Sequence, residues 1–260
     1  MALGVPAISQ PQAMPAQAMQ EAQDRQQDPE RARYVEKALH PDLPPELVGH
    51  REESMGTGFY VADRAILTNY HVVASCGILT SESSDPASGP SVVTLIASDP
   101  ALDLALLATS RDAPAIAVFE GKLERADTSD LSILGFPSHG LSTVEPTVVS
   151  VTARPSELVP DHPLMQFSGD VHPGHSGSPL VDEYDAVIGV VRMKVDTVVT
   201  YQKTGSIVTD IGFAIPSRAV LAFLRKNRVA FRSAEPPASL APDARLAASQ
   251  TFLVRVGCWN

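Results

Sequence analysis

A chain of 260 residues, 44% of them apolar, is long enough for one large or two small domains whose core needs no staple. Its 30 acidic against 20 basic residues give a formal charge of -10, and no Lys/Arg run interrupts that excess, which excludes nucleic acid or an anionic membrane surface as the main partner. No stretch approaches the roughly 18 consecutive apolar residues of a membrane span.

The chain opens on MALGVPAISQPQAMPAQAMQ, which has neither a charged n-region nor a sustained apolar h-region and so reads as no secretory signal, hence as cytoplasmic. Residues 1–28, rich in Gln, Ala and Pro without apolar periodicity, read as a disordered leader that extends to about residue 50. Within it, Asp28 as N-cap, Pro29 at the first helical position and Pro41 as a stop predict a short helix near 29–39.

From Gly56 to about Ile215 short β-type runs follow one another, among them GFYVA, AILTN, SVVTLIA, DLALLA, DLSILGF, PTVVSVTA, LMQF, AVIGVVRM and GFAI. Gly, Pro, Asp and Ser break them at roughly ten-residue spacing, with no long amphipathic helix between, and this predicts an all-β sandwich or barrel. SRAVLAFLRKNRV is the exception: Ser217 can cap it, and Val220, Leu221 and Leu224 recur at helical spacing. Residues 229–260 read as a Pro/Ala linker and a strand-like extension for which the sequence offers no partner. Cys76 and Cys258, two thiols far apart, form neither a disulfide framework nor a zinc motif and read as buried and free, a bridge between them being the second choice.

GDVHPGHSGSPLV carries the most specific chemistry. A nucleophilic serine needs a tight turn that projects its Oγ while backbone N–H groups converge on the developing oxyanion, and Gly174 and Gly177 around Ser176 permit one. A serine needs a base, and His71 in RAILTNYHVVASC, at the end of a β-type run, supplies it. The imidazole needs a carboxylate to orient it. SDPALDLALLA offers two: Asp99, followed by Pro100, reads as a turn residue, whereas Asp103 stands directly before an apolar strand. The order His, Asp, Ser along the chain is that of chymotrypsin and of neither subtilisin nor the α/β-hydrolases.

The runs GTGFYVADRAILTNYHVV, ALDLALL, PGHSGSPLV, AVIGV and GFAIPS resemble HtrA/Deg-type, trypsin-like serine proteases over about residues 52–228. The resemblance implies two packed six-stranded antiparallel β-barrels with a C-terminal helix: a protease domain at 51–228, with an N-barrel at about 52–125, a C-barrel at about 128–216 and the helix at 217–228. It implies a serine endopeptidase acting on protein or peptide substrates without cofactor, with His71 as base, Asp103 as orienter, Ser176 as nucleophile, and Gly174 and Ser176 as oxyanion-hole donors. It also implies periplasmic or secreted relatives, often trimeric, and about 30 residues after the helix leave no room for a PDZ domain. His175 stands where the family has Asn, and Ser178 where it has Gly. Asp170, six residues before the nucleophile, occupies the place of a carboxylate that would select Arg or Lys. Arg192 is placed to pair with Asp170 and cancel it, and with Val191 beside the pocket the apolar preference is favoured. His162, His172 and His175 form a loop cluster without the fourth ligand or helical pair of a zinc site, so no metal is expected. A catalytically inactive barrel that serves as a binding module is the alternative.

Overall fold

The structure is a computed structural model and describes residues 43–85, 88–120, 130–138, 145–154, 164–194, 210–234, 247 and 250–260. The helix expected near 29–39 lies outside them. Described strands run in chain order as β1 (Glu52–Ala62), β2 (Ala65–Thr68), β3 (Ile78–Glu82), β4 (Ser91–Asp99), β5 (Leu104–Ala108), β6 (Val118–Glu120), β7 (Asp130–Gly135), β8 (Thr147–Arg154), β9 (Met165–Ser168), β10 (Pro179–Val181), β11 (Val187–Lys194), β12 (Ile211–Pro216), β13 (Arg232–Ala234) and β14 (Leu253–Trp259). Among the described residues two α-helices join them, the single turn α1 (Tyr70–Val73) and α2 (Ser217–Lys226), and a 3-10 turn at Pro45–Leu47 precedes β1.

The expected pair of six-stranded antiparallel barrels is present. The first closes in the order β1, β14, β3, β4, β5, β2; the second as β10, β7, β8, β9, β12, β11, with β10 returning to β11, and β6 and β13 added in parallel outside β11. Closure removes the exposed edges that an open sheet would leave. Short apolar runs built these strands as the sequence reading expected: β5 is LALLA, with Leu104, Ala105, Leu106 and Leu107 all fully buried. Leu131, Ile133, Val151, Phe167, Leu180 and Val191 fill the second barrel, while Phe59, Ile66, Leu67 and the β5 leucines pack the first together with Val220, Leu221, Phe223 and Leu224 of α2.

Three expectations need correction. Residues 52–125 do not close the first barrel, because β14 lies between β1 and β3, pairing Phe59 with Leu253 and Leu79 with Cys258. What reads in sequence as an extension is a stave of the barrel. Cys76 and Cys258 are not free but bonded to each other, because that pairing sets the turn after α1 beside β14, Cα to Cα at 5.1 Å. Ser217 is the first helical residue, with Pro216 in the N-cap position, so its hydroxyl caps nothing and the fixed φ of proline starts the helix.

Candidate active site

The buried strand β2 delivers Asn69, Tyr70 and His71 to one aspartate. Asp103, directly ahead of β5, takes φ +60, a conformation uncommon for a residue with a side chain. Two donors hold its carbonyl there: Asn69 Nδ2 at 2.9 Å and the Tyr70 N–H at 3.2 Å. Its carboxylate accepts the His71 N–H on Oδ1 at 2.9 Å and lies 2.8 Å from His71 Nδ1 through Oδ2. Four contacts, two to its carbonyl and two to its carboxylate, therefore fix Asp103 to three consecutive residues, and the imidazole is presented with Nδ1 engaged and Nε2 free among the described residues. Asp103 is 4% exposed. Burial pushes its carboxyl up, but the hydrogen bonds from the His71 ring and backbone, with the charges of His71 and Arg192, outweigh burial and hold it below the usual carboxylate range. Asp99 accepts the Leu102 N–H at 3.0 Å, the turn role expected of it.

Ser176 lies in a loop whose shape depends on two left-handed glycines, Gly174 at φ +94 and Gly177 at φ +86. A Cβ on Gly177 would strike the Thr57 carbonyl, and one on Gly174 the Phe136 carbonyl. The loop is tied at both ends: Gly177 N–H to Val191 O at 2.9 Å, Val191 N–H to Ser178 O at 2.8 Å, and Ser138 N–H to Pro173 O at 2.7 Å. Because the Pro173 carbonyl is turned to Ser138, the N–H of the same planar peptide, that of Gly174, points the opposite way. Among the described residues neither the Gly174 nor the Ser176 N–H has an acceptor, so two donors flanking the hydroxyl remain unspent.

Thr57 joins the barrels and has no counterpart among the residues that the sequence reading singled out. Fully buried on β1, it donates from Oγ1 to Gly174 O at 2.8 Å and accepts the Phe136 N–H at 3.0 Å. Its own N–H donates to Ser176 O at 2.8 Å, and its carbonyl accepts the Thr68 hydroxyl at 2.7 Å. One residue of the first barrel thus braces both ends of the Gly174–Ser176 segment. Thr57→Val keeps the shape and deletes the hydroxyl, leaving a donor and an acceptor buried without partners at roughly 1–3 kcal/mol each. We expect the melting temperature to drop by about 4–24 °C. Turnover by the folded fraction should fall as well, since Gly174 loses its brace; an unchanged melting curve would remove Thr57 from this role.

His71, Asp103, Ser176, Val191 and Arg192 line one cleft of about 640 Å³, together with Tyr70, Pro100, Val171, His172 and Pro173. The Ser176 hydroxyl donates to the Arg192 carbonyl at 3.4 Å. Asp170 is not brought into this wall: its side chain is 66% exposed and lies 2.9 Å from His172 Nε2. The expected pairing of Arg192 with Asp170 is corrected, since Arg192 Nε reaches Asp103 Oδ2 at 3.1 Å, the same oxygen that faces His71. A buried carboxylate at the end of its reach attracts the guanidinium more strongly than a solvated one across the cleft. Val171 and Val191 give the wall its apolar part. His175 is fully buried and accepts the His172 N–H on Nδ1 at 3.1 Å, so two of the three histidines shape the loop; His162 lies outside the described residues. Among the described residues no group of three or more His, Cys, Asp or Glu side chains could hold a metal ion.

Residues 56–190 match the family model of the trypsin-like peptidase domain. The chain is 35% identical over 174 residues to the uncharacterized protein y4bJ of Sinorhizobium fredii, covering 66% of this chain and 27% of that one. It is 33% identical over 171 residues to a probable periplasmic serine endoprotease, DegP-like, of Chlamydia pneumoniae, covering 64% and 33%. Serine protease Rv3671c of Mycobacterium tuberculosis is 31% identical over 145 residues, covering 52% and 35%. The crystal structure of the inactive form of that protease superimposes with a TM-score of 0.53 at 26% identity, over 68% of this chain and 86% of the other. The chain spans about a third of the length of the relatives that it matches by sequence.

Proposed function

The chain belongs to the trypsin-like peptidase family, and on that premise we propose that it is a serine endopeptidase working through Ser176, His71 and Asp103. The observation that carries the reading is the fourfold hold of Asn69, Tyr70 and His71 on Asp103, in the wall of the cleft that also contains Ser176. Attack needs the Ser176 hydroxyl to turn from the Arg192 carbonyl to His71 Nε2, which takes its proton as Oγ bonds to the substrate carbonyl carbon. Asp103 keeps the ring in the tautomer with Nδ1 protonated and stabilises the imidazolium that forms. The unspent N–H groups of Gly174 and Ser176 receive the oxyanion. His71 then gives the proton to the leaving amine, the peptide bond breaks, and water resolves the acyl-enzyme by the same steps in reverse.

Val171 and Val191 favour an apolar side chain on the residue whose carbonyl is attacked, and Asp170, outside the wall, does not select Arg or Lys. The Cys76–Cys258 bond supports a place outside the reducing cytoplasm, as do relatives named periplasmic. Among the described residues no helix is long and apolar enough to cross a membrane.

A fluorophosphonate probe should label the folded protein, and peptide mapping should locate the adduct on Ser176. A correctly folded sample that takes up no label, or takes it up elsewhere, overturns the assignment in favour of a binding module on the same fold.

A further inference from the structure

Arg192 does something in the cleft that a neutral residue could not. Its Nε donates to Asp103 Oδ2 at 3.1 Å, which uses one of the five N–H groups of a guanidinium. Nη1 and Nη2 have no acceptor among the described residues, and neither is sealed from solvent. The side chain is 26% exposed against 6% for that of Asp103. A group entering the cleft therefore meets the Nη edge of the guanidinium ahead of the carboxylate behind it. Four unspent donors in a planar fork are matched to a carboxylate, which accepts two of them side by side.

Position along the substrate follows from the direction of the side chain. The carbonyl of Arg192 faces the Ser176 hydroxyl, and Val191 forms the wall beside it, so the residue whose carbonyl is attacked sets its side chain there. The guanidinium runs away from that point to Asp103, on the side of the cleft where Tyr70 and His71 hold that residue. We infer that Arg192 selects an acidic side chain in the substrate residue immediately before the one whose carbonyl is attacked. This rests on the endopeptidase reading above.

Asp103 is shared between Arg192 and His71, and Asp170, beside His172, lies outside the wall. Sharing has a consequence for the reaction. Asp103 must stabilise the imidazolium at the transition state, and a cation on the same oxygen opposes it. A substrate carboxylate on the Nη edge offsets that cation, so it helps the chemical step as well as binding.

Cleavage of a proteome-derived peptide library locates a cleaved sequence, from which two peptides are made that differ only in Glu or Gln at the chosen position. We expect kcat/KM to favour Glu by about tenfold in the wild type, the scale of one charge-assisted fork. The ratio should fall to near one in Arg192→Met and be kept in part by Arg192→Lys, while fluorophosphonate labelling shows each variant to be folded with a reactive serine. A wild-type ratio near one overturns the inference on its own, whatever the variants do. So does a ratio that survives in a labelled Arg192→Met, and neither result touches the protease assignment. A wild type that neither labels nor cleaves overturns the protease reading and this inference with it.

Discussion

Asp103→Asn should lower kcat about 10⁴-fold while leaving the barrels folded. The substitution keeps an oxygen for the His71 N–H, now 2.9 Å from Oδ1, so the backbone hold survives. At the other position it replaces Oδ2, 2.8 Å from His71 Nδ1, by an NH2 group. That group can only donate, so Nδ1 becomes the acceptor and the ring proton moves to Nε2. An imidazole in that tautomer cannot take the Ser176 proton. The same NH2 also faces Arg192 Nε, donor against donor, at a place where the carboxylate now lies 3.1 Å away. Arg192 must withdraw, which predicts a modest fall in melting temperature beside the large fall in turnover. Steady-state kinetics with a thermal melt reads both: a loss below about tenfold in a folded variant would show that Asp103 does not set the tautomer.

Local chemistry is what the sequence made legible. The turn around Ser176 is legible because the glycines beside it announce a conformation that other residues rarely take, and both do adopt positive φ. Asp103 was separated from Asp99 by the proline after one and the apolar strand after the other, and the structure places them in a strand entrance and a turn accordingly. What stayed hidden depends on groups that meet only after folding. Thr57 braces a loop more than a hundred residues away through a hydroxyl, and a buried threonine in a strand has the same local pattern whether its Oγ1 is a brace or filler. The partner of Arg192 is decided by which of two aspartates is buried, a property of the assembled cleft. The bridge and the place of β14 are the extreme case, with a sequence separation of 182 between the two cysteines. Cysteine counting and strand periodicity carry no information at that range.

Those two hidden features set up the second large effect. Removing residues 251–260 should abolish folding of the first barrel, whereas Cys76→Ser with Cys258→Ser should only weaken it. The deletion takes away Phe252, Leu253, Val254 and Val256, all buried, at about 1.5–3 kcal/mol each. The lost burial alone rivals the 5–15 kcal/mol that typically holds a whole domain together. It also opens the barrel, leaving β1 paired with β2 alone and β3 with β4 alone, and strips Glu52 and Glu82 of the buried Arg255 that lies 2.5 Å and 3.6 Å from them. Two partly buried carboxylates, about a fifth exposed, also lose their cation. Loss of the disulfide alone leaves every one of these contacts in place. Its contribution, typically about 2–4 kcal/mol, falls on the unfolded chain, which regains the freedom of a long loop. For a domain of this size that corresponds to a drop in melting temperature of about 4–16 °C. Circular dichroism and thermal denaturation of the two variants separate the cases. A truncated chain that melts cooperatively like the serine double variant would mean that covalent closure, and not the strand, holds the barrel. With the strand in place and the bridge gone, the barrel that carries His71 stays closed, so labelling of Ser176 should persist at temperatures below the lowered transition.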